Sequence, residues 1–313
     1  MLGKELTELL GIKYPVIQGA MAWIANAQLA AAVSNAGGLG IIAAGNTPPD
    51  LLEKELIKIR ELTDKPYGLN IMLMSPTAPA AVELAAKYRV KVLTTGAGSP
   101  GKVIERLKPL GTIIMPVVAS TAVAKRAVRQ GAQAIIAEGM EAGGHIGELS
   151  TMVMTPLVAQ AVNVPVITAG GIVDGRGMAA AFALGAKGVQ VGTRFVCSTE
   201  CTVHPNYKNA IVNARERCTA VTGAPTGHPV RCIENKLARE FLRLEYEHAS
   251  NEEIAKLGVG KLRAAVIDGD VEYGSVMSGQ VAALVSDVRS CSDIITGMVT
   301  EAENILKNLG AQV

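Results

Sequence analysis

The sequence predicts an α/β protein, a (β/α)8 barrel with a helical insertion after its eighth strand. Short apolar and β-branched runs alternate with helix-length stretches from the start of the chain, no hairpin turn chemistry separates the first eight runs, and the alternation stops after Val191. Strands without hairpins between them are parallel neighbours joined by crossovers, and eight such units close into a barrel. A doubly wound open sheet is the competing arrangement.

The strand runs, in chain order, are 16–18, 39–43, 67–71, 91–95, 112–117, 134–137, 166–169 and 188–191. Helical stretches lie between them at 48–62, 79–87, 121–129, 155–161 and 177–184, with Asp50 and Asp174 placed as early-helix anions. Beyond Val191, segments 204–217, 235–247 and 252–266 read as three helices with no strands between them. The chain therefore divides into a barrel (1–197), a helical insertion over the barrel mouth (198–270) and a segment returning to the barrel (271–313).

Composition narrows the function classes. Of the 313 residues 49% are hydrophobic and 19% charged, with a net charge of +2, so a large core is available and no global field gathers nucleic acid. The five cysteines (Cys197, Cys201, Cys218, Cys232, Cys291) are odd in number and form no CxxC pair, which argues against a disulfide framework or a metal site. Segment 1–13 lacks a signal-peptide pattern, and no run approaches the roughly 18 apolar residues of a membrane helix. A soluble, reduced, cytoplasmic protein with no nucleic-acid or membrane partner is expected.

In a (β/α)8 barrel the chemistry gathers at the C-terminal ends of the strands. Those ends carry Gly19-Ala20-Met21, Gly45, Asn70, Glu138, Gly170-Gly171 and Gly192-Thr193. The last two groups, with Gln190 and Val191, follow the seventh and eighth strands, where this fold commonly holds a phosphate on bare backbone amides. Tight turns are the plainer reading of each glycine pair alone; the two together at this position favour the phosphate. After the sixth strand comes Glu138-Gly139-Met140-Glu141-Ala142-Gly143-Gly144-His145. The glycines strip side chains from beside His145, leaving an imidazole that can move a proton or donate to a developing oxyanion. His204, His228 and His248 have no such setting and read as structural. Gly96–Gly101 fits GxGxxG, but no acidic residue follows in 115–121 to complete a dinucleotide fingerprint, so it reads as the fourth barrel loop with Pro100 opening a helix.

The segments EGMEAGGHIG and TAGGIVDGRGMAAAFALGAKGVQVGTRF resemble the nitronate monooxygenase superfamily of FMN-dependent barrels. VIQGAMAWIA, SNAGGLGIIAAGN, KPYGLNIMLMSP, VLTTGAG, HPNYK and GSVMSGQVAALV extend the likeness over nearly the whole length, and it is strongest to the enoyl-[acyl-carrier-protein] reductase II (FabK) type. The resemblance implies FMN across the mouth, its phosphate on Gly170, Gly171, Gln190, Val191, Gly192 and Thr193. Gly19, Ala20, Met21, Asn70, Glu138 and Gly143 would line the flavin. Gly45 and Gly144 join the cofactor-binding set, and Met277 and Gln280, from segment 275–280, its wall.

The resemblance further implies His145 as the catalytic residue, NADH or NADPH as co-substrate, and a trans-2-enoyl thioester reduced in two half-reactions. Some enzymes of this type use a monovalent cation. A homodimer is the default for them. The acidic acyl-carrier protein would be a transient partner, for which Arg194, Lys208, Arg215, Arg217, Arg231, Lys236, Arg239 and Arg243 offer cations; an ordinary solvated surface is the plainer reading of these. Nitronate oxidation by O2 is the alternative activity. Family members with that activity tend to carry glutamine at Glu138 and arginine at Ile146, and both departures favour the reductase. A barrel kept only as a binding scaffold is the non-enzyme alternative, and an intact His145 and phosphate loops speak against it.

Overall fold

The computed structural model describes residues 2–311. Eight parallel strands form a TIM barrel: β1 (Val16–Gln18), β2 (Gly40–Ala43), β3 (Tyr67–Met72), β4 (Val92–Gly96), β5 (Ile113–Val118), β6 (Ile135–Glu138), and then, after the two-residue β7 (Gly144–His145), β8 (Val166–Ala169) and β9 (Gly188–Val191). Their order around the sheet is β1-β9-β8-β6-β5-β4-β3-β2. Each expected run lies within a residue or so of an observed strand. The expected helices are present at Pro49–Leu62, Ala78–Lys87, Thr121–Gln130, Thr151–Ala161 and Gly175–Ala183. Asp174 caps the last of these, accepting from the amides of Arg176 and Gly177, and Asp50 lies in the first turn of Pro49–Leu62.

The seam where β1 meets β2 closes the barrel, and a side chain does much of the stitching. Ile17 bridges to Leu39, but β1 is only three residues long and its ladder soon ends. There the fully buried Gln18 turns its amide onto β2: its Oε1 accepts from the Ile41 amide at 3.1 Å and its Nε2 donates to the Ile41 carbonyl at 3.2 Å. One residue earlier Gly40 touches the Ala30 carbonyl of helix Ala27–Asn35 so closely that a β-carbon there would overlap it.

The barrel interior is filled by Ile17, Ile41, Met115, Ile136 and Ile167, and below them by Leu6 and Leu10 of a short helix, Lys4–Leu10. That helix was not anticipated; it is bounded by Gly3 and Gly11, both left-handed. Two further apolar clusters join the strands to the outer helices. The C-terminal helix Cys291–Gly310 lies along Gly175–Ala183, its Glu301 accepting from the Gly175 amide at 2.8 Å.

The insertion corrects one expectation: it is not purely helical. Between helices Pro205–Val212 and Lys236–Tyr246 runs an antiparallel hairpin, β10 (Thr219–Thr222) and β11 (Val230–Ile233). Its β-branched residues favour strands, and its turn rests on two left-handed glycines, Gly223 and Gly227. The expected third helix is also broken, because Gly258-Val259-Gly260 ends Asn251–Gly258 before the chain turns helical again at Lys261–Arg263. The other edge of β11 pairs with β7. The insertion thus adds a three-stranded sheet against the sixth barrel loop.

Replacing Gln18 with leucine would leave the Ile41 N–H and C=O without partners in a dry core. At about 1–3 kcal/mol for each orphaned group, stability should fall by roughly 2–5 kcal/mol. Urea unfolding reads this directly, and an unchanged midpoint would mean that the Ile17–Leu39 pairing alone holds the seam.

Candidate active site

At the C-terminal ends of the strands lies a cavity of about 540 Å³. The loops after β1 and β2 bring Ala20, Met21 and Gly45 to its wall, and β3 itself brings Asn70; β6 and its loop bring Glu138, Gly143 and His145; β9 and the turn after it bring Gln190, Gly192 and Thr193. Met277, from the C-terminal segment, completes the expected set that lines it. The remaining site candidates stand behind this wall. Gly19 backs onto the Gln190 side chain, Val191 is core, and Gly144 lies beneath the Met277 sulfur. Gly170 and Gly171, both left-handed, pack against Gly139 and Glu141. Gln280 is exposed, its amide donating to the Glu141 carbonyl at 3.0 Å.

Segment 276–280 is a strap across the site. The Ile233 amide donates to the Val276 carbonyl, and the buried Tyr207 hydroxyl donates to the Met277 carbonyl at 2.7 Å. The Gly279 amide donates to Thr193 Oγ1 at 3.0 Å, so that hydroxyl keeps its own hydrogen for a ligand. Next to it, Ser278 Oγ is buried without any hydrogen-bond partner. The Thr193 hydroxyl, adjoining Gly192 with its hydrogen free, and the orphaned Ser278 Oγ, one residue before the Gly279 amide that meets Thr193, are the groups here that a phosphate would satisfy. With the apolar walls above them, these residues fit a planar ligand that carries one phosphate.

Two of the titratable side chains on the cavity wall, Glu138 and His145, are pushed toward their neutral forms. Burial raises the Glu138 carboxyl to about 7. The His145 imidazole is lowered below its ordinary value, first by loss of water and then by repulsion from His228. The two imidazoles stand edge to face, ring centroids 6.4 Å apart and planes at 83°. His228 also lines the cavity, so its reading as a structural residue is corrected. The hairpin turn 227–229 presents it, and the Val230–His145 pairing together with the Ile146 amide on the Pro229 carbonyl fixes that turn beside β7. The signal that could have found it was the one used for His145, a histidine next to a glycine in a loop.

The GxGxxG stretch does lie where the fourth barrel loop was expected, with Gly96 and Ala97 on the cavity wall and helix Gly101–Leu107 beginning after Pro100. Most of the eight cations considered for an acidic partner are already engaged. Arg194 is buried against Asp287, and Arg231 is buried on the Met140 carbonyl and Thr219. Lys208 donates to the Ser198 carbonyl, while Lys236, Arg239 and Arg243 pair with Glu272, Glu234 and Glu240, respectively. Arg215 and Arg217 are exposed and make no ion pair among the described residues.

Two outcomes follow from these electrostatics. With Glu138 at about 7 when folded and 4.5 when unfolded, the folded chain keeps a proton that the unfolded one gives up, so stability falls as pH rises through that window. Glu138→Gln should abolish the fall, a gain on the order of 2–3 kcal/mol at pH 8 relative to pH 5, read by denaturant unfolding at each pH. Equal slopes in parent and variant would mean the carboxyl is solvated. His228→Ala should raise the His145 pKa, followed by NMR of the ring; no movement would leave burial as its only cause.

The nitronate monooxygenase family model matches residues 4–81 and 77–301. The solved FabK from Thermotoga maritima is 49% identical with a TM-score of 0.96, over 98% of both chains. A (3aS,4S,5R,7aS)-5-hydroxy-7a-methyl-1-oxo-octahydro-1H-indene-4-carboxyl-CoA dehydrogenase from Rhodococcus jostii is 33% identical over 99% of this chain and 98% of its own. A probable nitronate monooxygenase from Staphylococcus saprophyticus is also 33% identical, over 97% and 99%. With its barrel, its His145 loop and these matches along its whole length, the chain belongs to the nitronate monooxygenase family of oxidoreductases.

Proposed function

We propose that the protein reduces trans-2-enoyl thioesters borne on acyl-carrier protein, using NADH or NADPH and a bound FMN. The observation that carries this reading is His145, an imidazole biased toward its neutral form on the wall of a largely apolar cavity, in a chain similar to FabK. The carboxyl-CoA name of the Rhodococcus relative also speaks for a thioester substrate.

FMN would be held at its phosphate by Gly192, Thr193 and Ser278 and bounded above by Ala20, Met21, Asn70 and Met277. When bound it supplies the chemistry of accepting hydride from the nicotinamide and returning it to the β-carbon of the enoyl thioester. The chain supplies orientation and charge stabilisation. A neutral His145 donates its ring N–H to the thioester oxygen as negative charge builds there, a hydrogen bond that is strongest in the transition state, and the α-carbon of the resulting enolate takes up a proton to complete the reduction. The apolar wall, including Met72 and Met74, excludes water and accommodates an acyl chain. An acidic carrier would meet Arg215 and Arg217, which are exposed and make no ion pair among the described residues.

Nitronate oxidation is the second reading, favoured by the family match and the Staphylococcus relative. A neutral imidazole also suits removal of a proton from a nitroalkane.

Stopped-flow spectroscopy under anaerobic conditions tests the proposal through flavin bleaching by NADH and its recovery with crotonyl thioester. His145→Ala should slow recovery by about 10²- to 10⁴-fold while bleaching changes little, and asparagine at 145 should restore part of the rate. Bleaching of the flavin by a nitronate in the absence of NADH, with no recovery by crotonyl thioester, would select the second reading. Recovery in the alanine variant as fast as in the parent would remove His145 from the mechanism.

A further inference from the structure

We propose that Trp23, with the guanidinium of Arg263, forms a stacking site at the lip of the cavity for the adenine of the pyridine dinucleotide co-substrate. The inference rests on the NAD(P)H-dependent reading above and names where the far end of that co-substrate is held.

Trp23 is the only tryptophan of the chain, and it is 44% exposed. Its backbone lies in the left-handed region at φ 66°, a conformation that costs a bulky residue on the order of 1–3 kcal/mol and persists only where the surroundings impose it. The turn that imposes it is closed by the amides of Ile24 and Ala25, which donate to the Met21 carbonyl at 3.0 and 2.8 Å. Its flanking residues Ala22 and Ile24 line the cavity, so the indole stands at the opening without being part of the wall.

Across the opening Leu262 lines the same cavity, and its neighbour Arg263 holds its guanidinium carbon 5.9 Å from the centre of the indole ring. Arg263 also faces Asp268 at 3.7 Å, but both side chains are about half exposed, and such a pair contributes little. Lys261 brings a second cation to this segment and makes no ion pair among the described residues.

An exposed indole carrying a cation on one side and open on another suits a flat heteroaromatic ring with an attached anion. Adenosine phosphate has that form: the purine stacks, and the phosphates meet Arg263 and Lys261. A pantetheine arm or an acyl chain is flexible and non-aromatic and gains little from such a platform. Since the nicotinamide must enter the cavity, the adenosine end projects toward the lip, where Trp23 stands. The same adenosine phosphate chemistry occurs in coenzyme A, and the experiment separates the two sources.

The test uses the flavin-loaded enzyme. Reduction by NADH is compared with reduction by reduced nicotinamide mononucleotide, which lacks the adenosine half. Stacking of a base on an aromatic side chain corresponds to a factor of roughly 5 to 150 in affinity, so Trp23→Ala should lower the ratio of the two kcat/KM values by that factor. Trp23→Phe, which keeps a ring, should preserve much of the preference. An unchanged ratio in the alanine variant overturns the proposal.

Because Trp23 is the sole tryptophan, ADP should also quench its emission saturably, and more weakly in Arg263→Ala. No quenching at millimolar ADP overturns the site. Binding of 3′-phosphoadenosine 5′-diphosphate more than tenfold tighter than ADP assigns the site to coenzyme A and overturns the co-substrate reading. A flavin that no reduced nucleotide bleaches defeats the reductase reading instead, and the ADP titration then decides the adenosine site alone.

Discussion

Everything at the mouth depends on one contact between two backbones that have no side chains between them. Gly143, in the loop that carries the histidine, lies against Ser278 and Gly279 of the C-terminal strap; a methyl group on it would come within 2.6 Å of the Ser278 carbonyl carbon. A methyl on Gly279 would come within 2.7 Å of the Glu141 carbonyl oxygen. At this approach the Gln280 amide reaches Glu141 and the Gly279 amide reaches Thr193, so the sixth loop, the ninth-strand turn and the strap become one rigid piece. Tyr207 and β11 extend that piece into the insertion. The insertion is thereby the mould for the loop that presents His145, beyond any role as a cover. If His145 acts as the proposed donor, this anchoring would matter, because a positioned donor loses much of its advantage when it moves by an ångström.

The electrostatics of the cavity have a single theme. Burial raises Glu138 and lowers His145, and for a carboxyl and an imidazole these shifts favour the uncharged form. A cavity whose burial disfavours charge on both groups, and which is walled by Met21, Met72, Met74 and Met277, is a poor solvent for ions and a good one for apolar groups. His228 adds to the shift of its neighbour, since repulsion between the two imidazoles discourages protonation of His145.

Much of this was legible in the sequence, and the parts that were not have a common cause. Each barrel strand carries its own apolar run, and each is flanked by a helix long enough to recognise, so β1, β8 and β9 were located to the residue. The rim candidates followed because a barrel turns strand order into proximity. What was missed depends on partners remote in sequence. The hairpin β10–β11 has four residues per strand, and the outer edge of β11 is covered by β7, a strand of two residues that no periodicity could reveal. His228 matters only because that pairing brings it to His145. Gly170 and Gly171 announced a close approach, and the neighbour they approach is the Gly139–Ala142 loop. Helix Lys4–Leu10 is too short for a convincing period, and its purpose appears only when Leu6 and Leu10 are seen in the barrel.

That small helix also fixes how molecules travel. Leu6 and Leu10 are fully buried among Ile17, Ile41, Ile136 and Ile167, so the far end of the barrel is stoppered and the cavity is a room with one door. Whatever enters must back out before its successor can take the same place. On the reductase reading, alternation of the two reactants would then be an architectural rule as well as a chemical one, each an obstacle to the other when it lingers on the threshold.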